Sequence, residues 1–433
     1  MDSSVAPSEK ALIRKIFLRI VPFSTLLLLF SQIDKHDFSF AALTMNRDLG
    51  LTATMFGLAS SAFYVGYLLC EIPSNIILRK VGARFWLARL SVTLGIISAA
   101  TLFAVGPISL ITLRFVLGMA EAGIVPGLLL YFTFWFPPTY RSRANGWFLI
   151  AMPVASVIAS ILSGAILELN GVLGLAGWQW LFLLLGVPPV ILGIVGFVYL
   201  TDGPEKTRWL SQSEKRILAE VLAKDLDAQN GANRTPAGAP ARPWTEGAAG
   251  VALLCIANFC IFVVLSILTT WTPQIMHAAF PGNRFLLLGW IAASPALAAA
   301  IVMPIWSAHA DAAREVKWHV ILPMLLAAVG LAIAAYLPLP LFKFVGMILC
   351  SAGAYGCYGI FWSLAAAIIP ASRRAVLIAA IHAAGTLGAI VSPIMVGFLK
   401  DRAGDFSASM LFGIGVTLCG AIAAGLTKPK PVS

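Results

Sequence analysis

Charged side chains are scarce in this chain: Asp, Glu, Lys and Arg make up 11% of its 433 residues, against 59% hydrophobic ones, and the mean hydropathy is +0.89. So little polar surface excludes a soluble fold of this size and leaves lipid as the solvent. Cysteine is sparse as well. The six, Cys70, Cys255, Cys260, Cys350, Cys357 and Cys419, fall in apolar stretches without CxxC spacing, which excludes a disulfide framework and a cysteine-based zinc site. Only five histidines are present, and no loop carries a metal-ligand, nucleophile or phosphate-loop motif, so the chemistry of an integral membrane enzyme is missing. Acids are outnumbered, 19 against 30 bases, for a net charge of +11. That excess makes no nucleic-acid face, because the bases sit in short clusters between apolar runs.

What remains is long apolar runs. At roughly 20 residues per crossing, twelve are expected: Phe17 to Leu43, Ala53 to Leu78, Phe85 to Val105, Ser109 to Tyr131, Ala144 to Leu167 and Trp178 to Leu200, then Ala248 to Trp271, Phe285 to Ala308, His319 to Leu337, Leu341 to Trp362, Ala375 to Leu399 and Phe406 to Leu426. The predicted fold is an all-α membrane protein of twelve transmembrane helices in two six-helix bundles. Residues 1–16 form an N-terminal segment, 17–200 the first bundle, 201–247 a central loop, 248–427 the second bundle and 428–433 a tail. The first run follows Arg14, Lys15 and Arg19 and has no small-residue cleavage site, so it is expected to stay as an uncleaved span. The central loop reads as an amphipathic surface helix from Ser211 to Leu226, followed by a flexible Ala/Gly/Pro-rich linker from Gly231 to Pro243.

Orientation follows from the bases. Most Lys and Arg residues lie on the side of the N-terminus, whereas only Arg47, Arg284, Lys343, Lys400 and Arg402 lie on the other. The positive-inside rule then places both termini in the cytoplasm of a multi-pass inner membrane protein. The segment RKVGAR follows the second span and DAAREVKWH follows the eighth, at the equivalent place in the second half. Such internal symmetry marks transporters built from repeated bundles.

An ionisable side chain inside a span costs roughly 3 kcal/mol or more unless it faces a polar cavity or a partner, so each is a site candidate. Span one carries Asp34, Lys35, His36 and Asp37, span two Glu71, and span four Arg114 and Glu121. Asp34 and Asp37 share a helix face, as do Arg114 and Glu121, about 10 Å apart along the axis. Arg114 keeps its proton at any ordinary pH, so it needs a counter-anion. One reading is a permanent salt bridge to Glu121 or Asp34 that holds the helices together. The other makes Asp34 and Glu121 proton carriers, with Arg114 and Lys35 freed to bind an anion when those acids are protonated. Proton and substrate then favour the same state, which is the thermodynamic content of symport.

Tyr67, one turn before Glu71, is the aromatic residue expected to touch substrate, with His36 and His382 as weaker candidates beside hydrogen-bonded packing. His277, His309 and His319 fall at span ends. Gly118, Gly123, Gly353, Gly356, Gly359, Gly385 and Gly388 allow close helix approach, and Pro153 and Pro393 are candidate kinks.

The segments ALTMNRDLGLTATMFGLASSAFYVGYLLCEIPSN, RKVGAR, RFVLGMAEAG, NGVLGLAGWQW and DGPEKTRWLSQSEK resemble the anion:cation symporter family of the major facilitator superfamily, from about Lys15 to the end of span twelve. The resemblance implies alternating access and uptake of carboxylates such as tartrate, phthalate, hydroxyphenylacetate or sugar acids. Asp34 matches the family's proton-binding acid in span one and Glu121 its acid in span four. Arg114 matches the span-four arginine, while Lys35 stands where the family has an arginine, giving a point charge in place of a bidentate fork. Arg79 stands where the superfamily has an acid that clasps the cytoplasmic side, and it is expected to face Arg141 and Arg143 across that gate beside Arg84. The second-half loop keeps Asp311 and Glu315 but has Ala310, Ala312 and Val316 at positions usually polar or basic. Ile161 replaces a common proline, and His382 and Thr386 replace asparagines, so Thr386 joins the substrate-binding candidates.

The expected function is a proton-coupled symporter that imports a mono- or dicarboxylate. It needs no cofactor or metal beyond the proton as coupling ion, and its partners are an organic anion and the lipid bilayer, with no nucleic acid and the chain acting as a monomer. The alternatives are an exchanger or exporter of a different small solute and a transport-dead membrane sensor.

Overall fold

The computed structural model describes residues 9–149, 151–232, 248–282, 284–369 and 373–428. Twelve helices among them are long and apolar enough to cross a membrane. Spans one to six are Glu9–Asp48, Ala53–Val81, Ala83–Phe103, Pro107–Thr133, Thr139–Leu167 and Gly177–Tyr199. Spans seven to twelve are Ala248–Ala279, Phe285–Ala313, Lys317–Tyr336, Pro340–Ile368, Val376–Ala403 and Ser407–Leu426. An even number of crossings puts the described ends on one face, called here the terminal face. The opposite face is the far face.

Several boundaries differ from the sequence expectation. The first helix runs Glu9–Asp48 rather than Phe17 to Leu43, so residues 9–16 belong to it. Its early basic residues are held by helix neighbours: Lys15 Nζ lies 2.8 Å from Glu214, and Arg19 stacks between Tyr199 and Trp209. The central helix is Gln212–Ala232, longer at its end than expected. The linker from Gly231 to Pro243 lies outside the described residues beyond Ala232.

Span four is two helices, not one. Pro107–Glu121 ends at Ala122, which is extended at ψ 124°, and Gly123 takes a left-handed φ of 95° before Ile124–Thr133 resumes. Gly123 is therefore a helix break rather than only a close-contact residue. A Cβ there would suffer the left-handed strain and would also collide with Ser74 Oγ.

The bundles repeat each other. In the first, span one packs on five, two on four and three on six; in the second, seven packs on eleven, eight on ten and nine on twelve. Two reciprocal seams join them, span two against eleven and span five against eight. Both seams are glycine-lined at the far face, where Gly57 meets the Pro393 carbonyl and Gly164 meets that of Phe285. The buried apolar residues divide accordingly. On the far side a single cluster crosses both bundles, including the ring series Phe38, Phe56, Trp271 and Phe406. On the terminal side each bundle keeps its own cluster.

Candidate functional site

Span one is buried along most of its length, and one face of it carries Ser31, Asp34, Lys35 and Phe38, at the three- and four-residue spacing that aligns side chains on a helix. Span four meets this region with Arg114 and Glu121. The approach of span four to span two is very close: a Cβ at Gly118 would collide with the Phe63 carbonyl, and one at Gly66 with that of Phe115. That contact brings the Phe63 ring beside the charges.

The central interaction is an ion pair between spans one and four. Lys35 Nζ lies 2.8 Å from Glu121 Oε1, and the same oxygen accepts a hydrogen bond of 2.5 Å from Ser31 Oγ. The Lys35 side chain is 20% exposed and that of Glu121 only 1%, so the lysine reaches the edge of the site while the acid is sealed beneath it. Glu121 Oε2 has no hydrogen-bond partner among the described residues. Glu121 is the last residue before the break at Ala122.

Arg114 behaves differently. Its guanidinium lies 4.0 Å from the centre of the Phe38 ring and 4.8 Å from that of Phe63, and no ion pair among the described residues includes it. Nε and Nη1 are buried without a hydrogen-bond partner among the described residues. The acids whose charge it feels are Asp34, Asp37 and Glu121. The permanent salt bridge to Asp34 or Glu121 is not formed; the rings hold the cation while several donors stay unspent. Leaving a buried donor unpaired costs about 1 to 3 kcal/mol, which a bound anion would recover.

The other sequence candidates divide into groups. The Tyr67 ring is 5.5 Å from Lys35 Nζ, beside the pair. His36 points elsewhere: Nε2 lies 2.6 Å from Ser156 Oγ, and both line a narrow cavity of ≈ 30 Å³ that joins the bundles. Ser39, Ser160, Thr269, Thr272, Ser351 and Tyr355 line it too, an array of hydroxyls missed at the sequence level because each hydroxyl is unremarkable in its own helix. His382 packs edge-on against Phe262 at 5.9 Å, and Thr386 Oγ1 donates to the His382 carbonyl at 3.2 Å, so both are organised within the second bundle. Asp37, a span-one candidate to which the sequence assigns no role, is fully buried, and neither of its oxygens has a hydrogen-bond partner among the described residues. Its spacing from Asp34 was the available signal.

The loop residues have separate local partners. Arg79 is exposed. Arg141 donates to the Phe136 carbonyl at 3.1 Å, five residues before it, and Arg143 lies over the Phe17 ring of span one at 6.0 Å. The Arg84 N–H donates to Asp202 at 3.1 Å and its side chain to the Phe197 carbonyl at 2.5 Å, fastening span three to the end of span six. Asp311 is exposed, whereas Glu315 accepts the Trp318 N–H at 2.9 Å and meets His319 Nδ1 at 2.9 Å, capping the start of span nine.

Comparison with known proteins gives concordant results. The family model described as Major Facilitator Superfamily matches residues 25–393. A protein of Agrobacterium vitis named for tartrate transport is 41% identical over 96% of this chain and 94% of its own length. A quinolone resistance transporter of Acinetobacter baumannii is 33% identical over 98% of this chain and 96% of its own. Among solved structures, the inward open xylose transporter XylE from E. coli superposes with a TM-score of 0.76 at 14% identity, covering 95% of this chain and 96% of that one, a likeness of fold alone.

Proposed function

The chain belongs to the Major Facilitator Superfamily, a multi-pass membrane transport protein rather than an enzyme, and from that premise we propose that it imports small organic acids, mono- or dicarboxylates, together with protons. The observation that carries this reading is the arrangement of two cations against three buried acids: Lys35 paired to Glu121 at 2.8 Å, and Arg114 unpaired beside Asp34 and Asp37. Glu121 holds either Lys35 or a proton. Protonation releases the ammonium, which with Arg114 offers two positive centres to a carboxylate. Deprotonation restores the internal pair and expels the anion. Proton and anion thereby stabilise one state, and neither moves far down its gradient alone. The tartrate-named relative supports a carboxylate as cargo.

In this reading both termini and the 201–247 connection lie in the cytoplasm of the inner membrane, the chain works as a monomer, and the far face is the outer one. The structure is then an outer-closed state, because the shared core lies on that side. The hydroxyls around His36 line a separate cavity between the two bundles.

The relative named for quinolone resistance favours a second reading, outward movement of a different solute on the same framework. Uptake into proteoliposomes separates the two. A panel of mono- and dicarboxylates, with and without an inward acid gradient, is expected to contain at least one solute whose uptake the gradient accelerates tenfold or more. Uptake indifferent to the gradient for every accepted solute removes proton coupling. Quinolone entry driven by an acid vesicle interior, with no carboxylate accepted, supports the second reading.

A further inference from the structure

We propose that the cavity at the far face beside Lys400 is a second binding site, for small carboxylate anions, separate from the Lys35–Arg114 site. The inference deepens the carboxylate reading above and rests on it. The cavity has a volume of ≈ 380 Å³, enough for a small organic acid, and opens among the far ends of spans one, seven, nine, ten, eleven and twelve. Its charged lining is mainly cationic, Arg47, Lys343 and Lys400 against one acid, Asp405, with Asn46, Gln274, His277 and Ser407 as the neutral polar groups. Only five Lys and Arg residues are assigned to this face by the sequence, and three of them gather here.

The nearby acids are already engaged. Asp405 accepts the Ser407 N–H at 3.0 Å and its hydroxyl at 2.5 Å, capping span twelve. Asp401, next to Lys400 in sequence, accepts the N–H groups of Ala53 and Thr54 at 3.0 and 2.8 Å. Asp48 takes Arg47 at 3.3 Å. Lys343 and Lys400 are left without an ion pair among the described residues. Lys400 Nζ lies 3.4 Å from the side-chain carbonyl of Gln274, 4.5 Å from the centre of the Phe406 ring and 6.0 Å from that of Trp271, and it feels the charge of Asp401 beside it. Gln274 is 7% exposed, lines the cavity, and its amide nitrogen has no hydrogen-bond partner among the described residues. Two unpaired ammonium groups and a buried N–H donor around one concavity suit a carboxylate, which accepts through both oxygens. Long lysines that merely reach toward water need neither the cavity nor the orphaned amide. None of the residues lining this cavity belongs to the Lys35–Arg114 site.

Equilibrium binding of radiolabelled tartrate to the purified full-length chain tests the assignment. Wild type is expected to bind two molecules per chain. The pair Lys343→Gln with Lys400→Gln should bind one, with an unchanged melting midpoint, and Lys343→Arg with Lys400→Arg should restore the second. Lys343→Gln alone, at a side chain with no hydrogen bond among the described residues and only the charge of Asp405 to feel, gives an independent reading and should weaken the outer site fivefold or more. Wild-type stoichiometry and affinity in both Gln variants would overturn the inference. Arg114→Gln should remove the complementary molecule. If it leaves binding untouched while the far-face pair abolishes it, the outer site stands and the inner-site reading fails.

Discussion

Glu121 occupies the position where charge, packing and chain geometry meet. It is the last residue of a helix that breaks at the next two, it is 1% exposed, and it is bonded to both Ser31 and Lys35. Removing its charge leaves the lysine without its partner while the side-chain shape persists. Glu121→Gln is therefore expected to reduce gradient-driven uptake tenfold or more while exchange of unlabelled for labelled substrate, measured without a gradient, stays within about threefold of wild type. Exchange and uptake falling together would place Glu121 in binding rather than coupling. The charged residues themselves were legible in the sequence, since a charge within an apolar run is costly enough to demand a role. Their pairing was not. Whether Glu121 takes Arg114, seven residues away on its own helix, or Lys35 on another is decided by helix rotation and by Phe38 and Phe63 claiming the guanidinium.

Helices two and four are the element on which that choice depends. Gly118 and Gly66 let their backbones touch, and the Phe63 ring reaches Arg114 only because they do. Gly118→Val should force the helices apart, lowering the melting midpoint by the equivalent of about 1 to 3 kcal/mol and weakening carboxylate binding with it. Gly146→Ala serves as the comparison, because a Cβ there meets nothing within 4 Å. Equal midpoints for the two variants would show that the close approach is dispensable. The glycines were visible in the sequence as permissive positions, but their functions differ in ways that spacing does not encode: Gly118 makes a contact, whereas Gly123 breaks a helix.

For the whole molecule, the two seams end in equivalent locks. Asp401 at the end of span eleven accepts from Ala53, Thr54 and the Thr54 hydroxyl at 3.0, 2.8 and 2.6 Å, capping span two. At the related place, Glu168 after span five accepts the Leu286 N–H at 3.3 Å, at the start of span eight. Each acid sits at the positive end of a helix in the opposite bundle, so each stabilises the closed far face twice over. Asp401→Ala removes three accepted bonds and should shift the equilibrium toward far-face opening by about 1 to 3 kcal/mol. Spin-label distances across the far ends of spans two and eleven should lengthen, and an unchanged distribution would show that apolar packing alone keeps that face shut.

Composition and hydropathy by themselves determined the solvent, the count of crossings, the two-bundle organisation and the identity of the buried charges, because each follows from the cost of placing polar groups in lipid. The three-dimensional packing alone decided which charges pair, where span four breaks, which face is closed, and that lysines far apart in sequence share a cavity. Those outcomes depend on distances between helices, and contacts between residues tens to hundreds of positions apart leave no periodic trace along the chain.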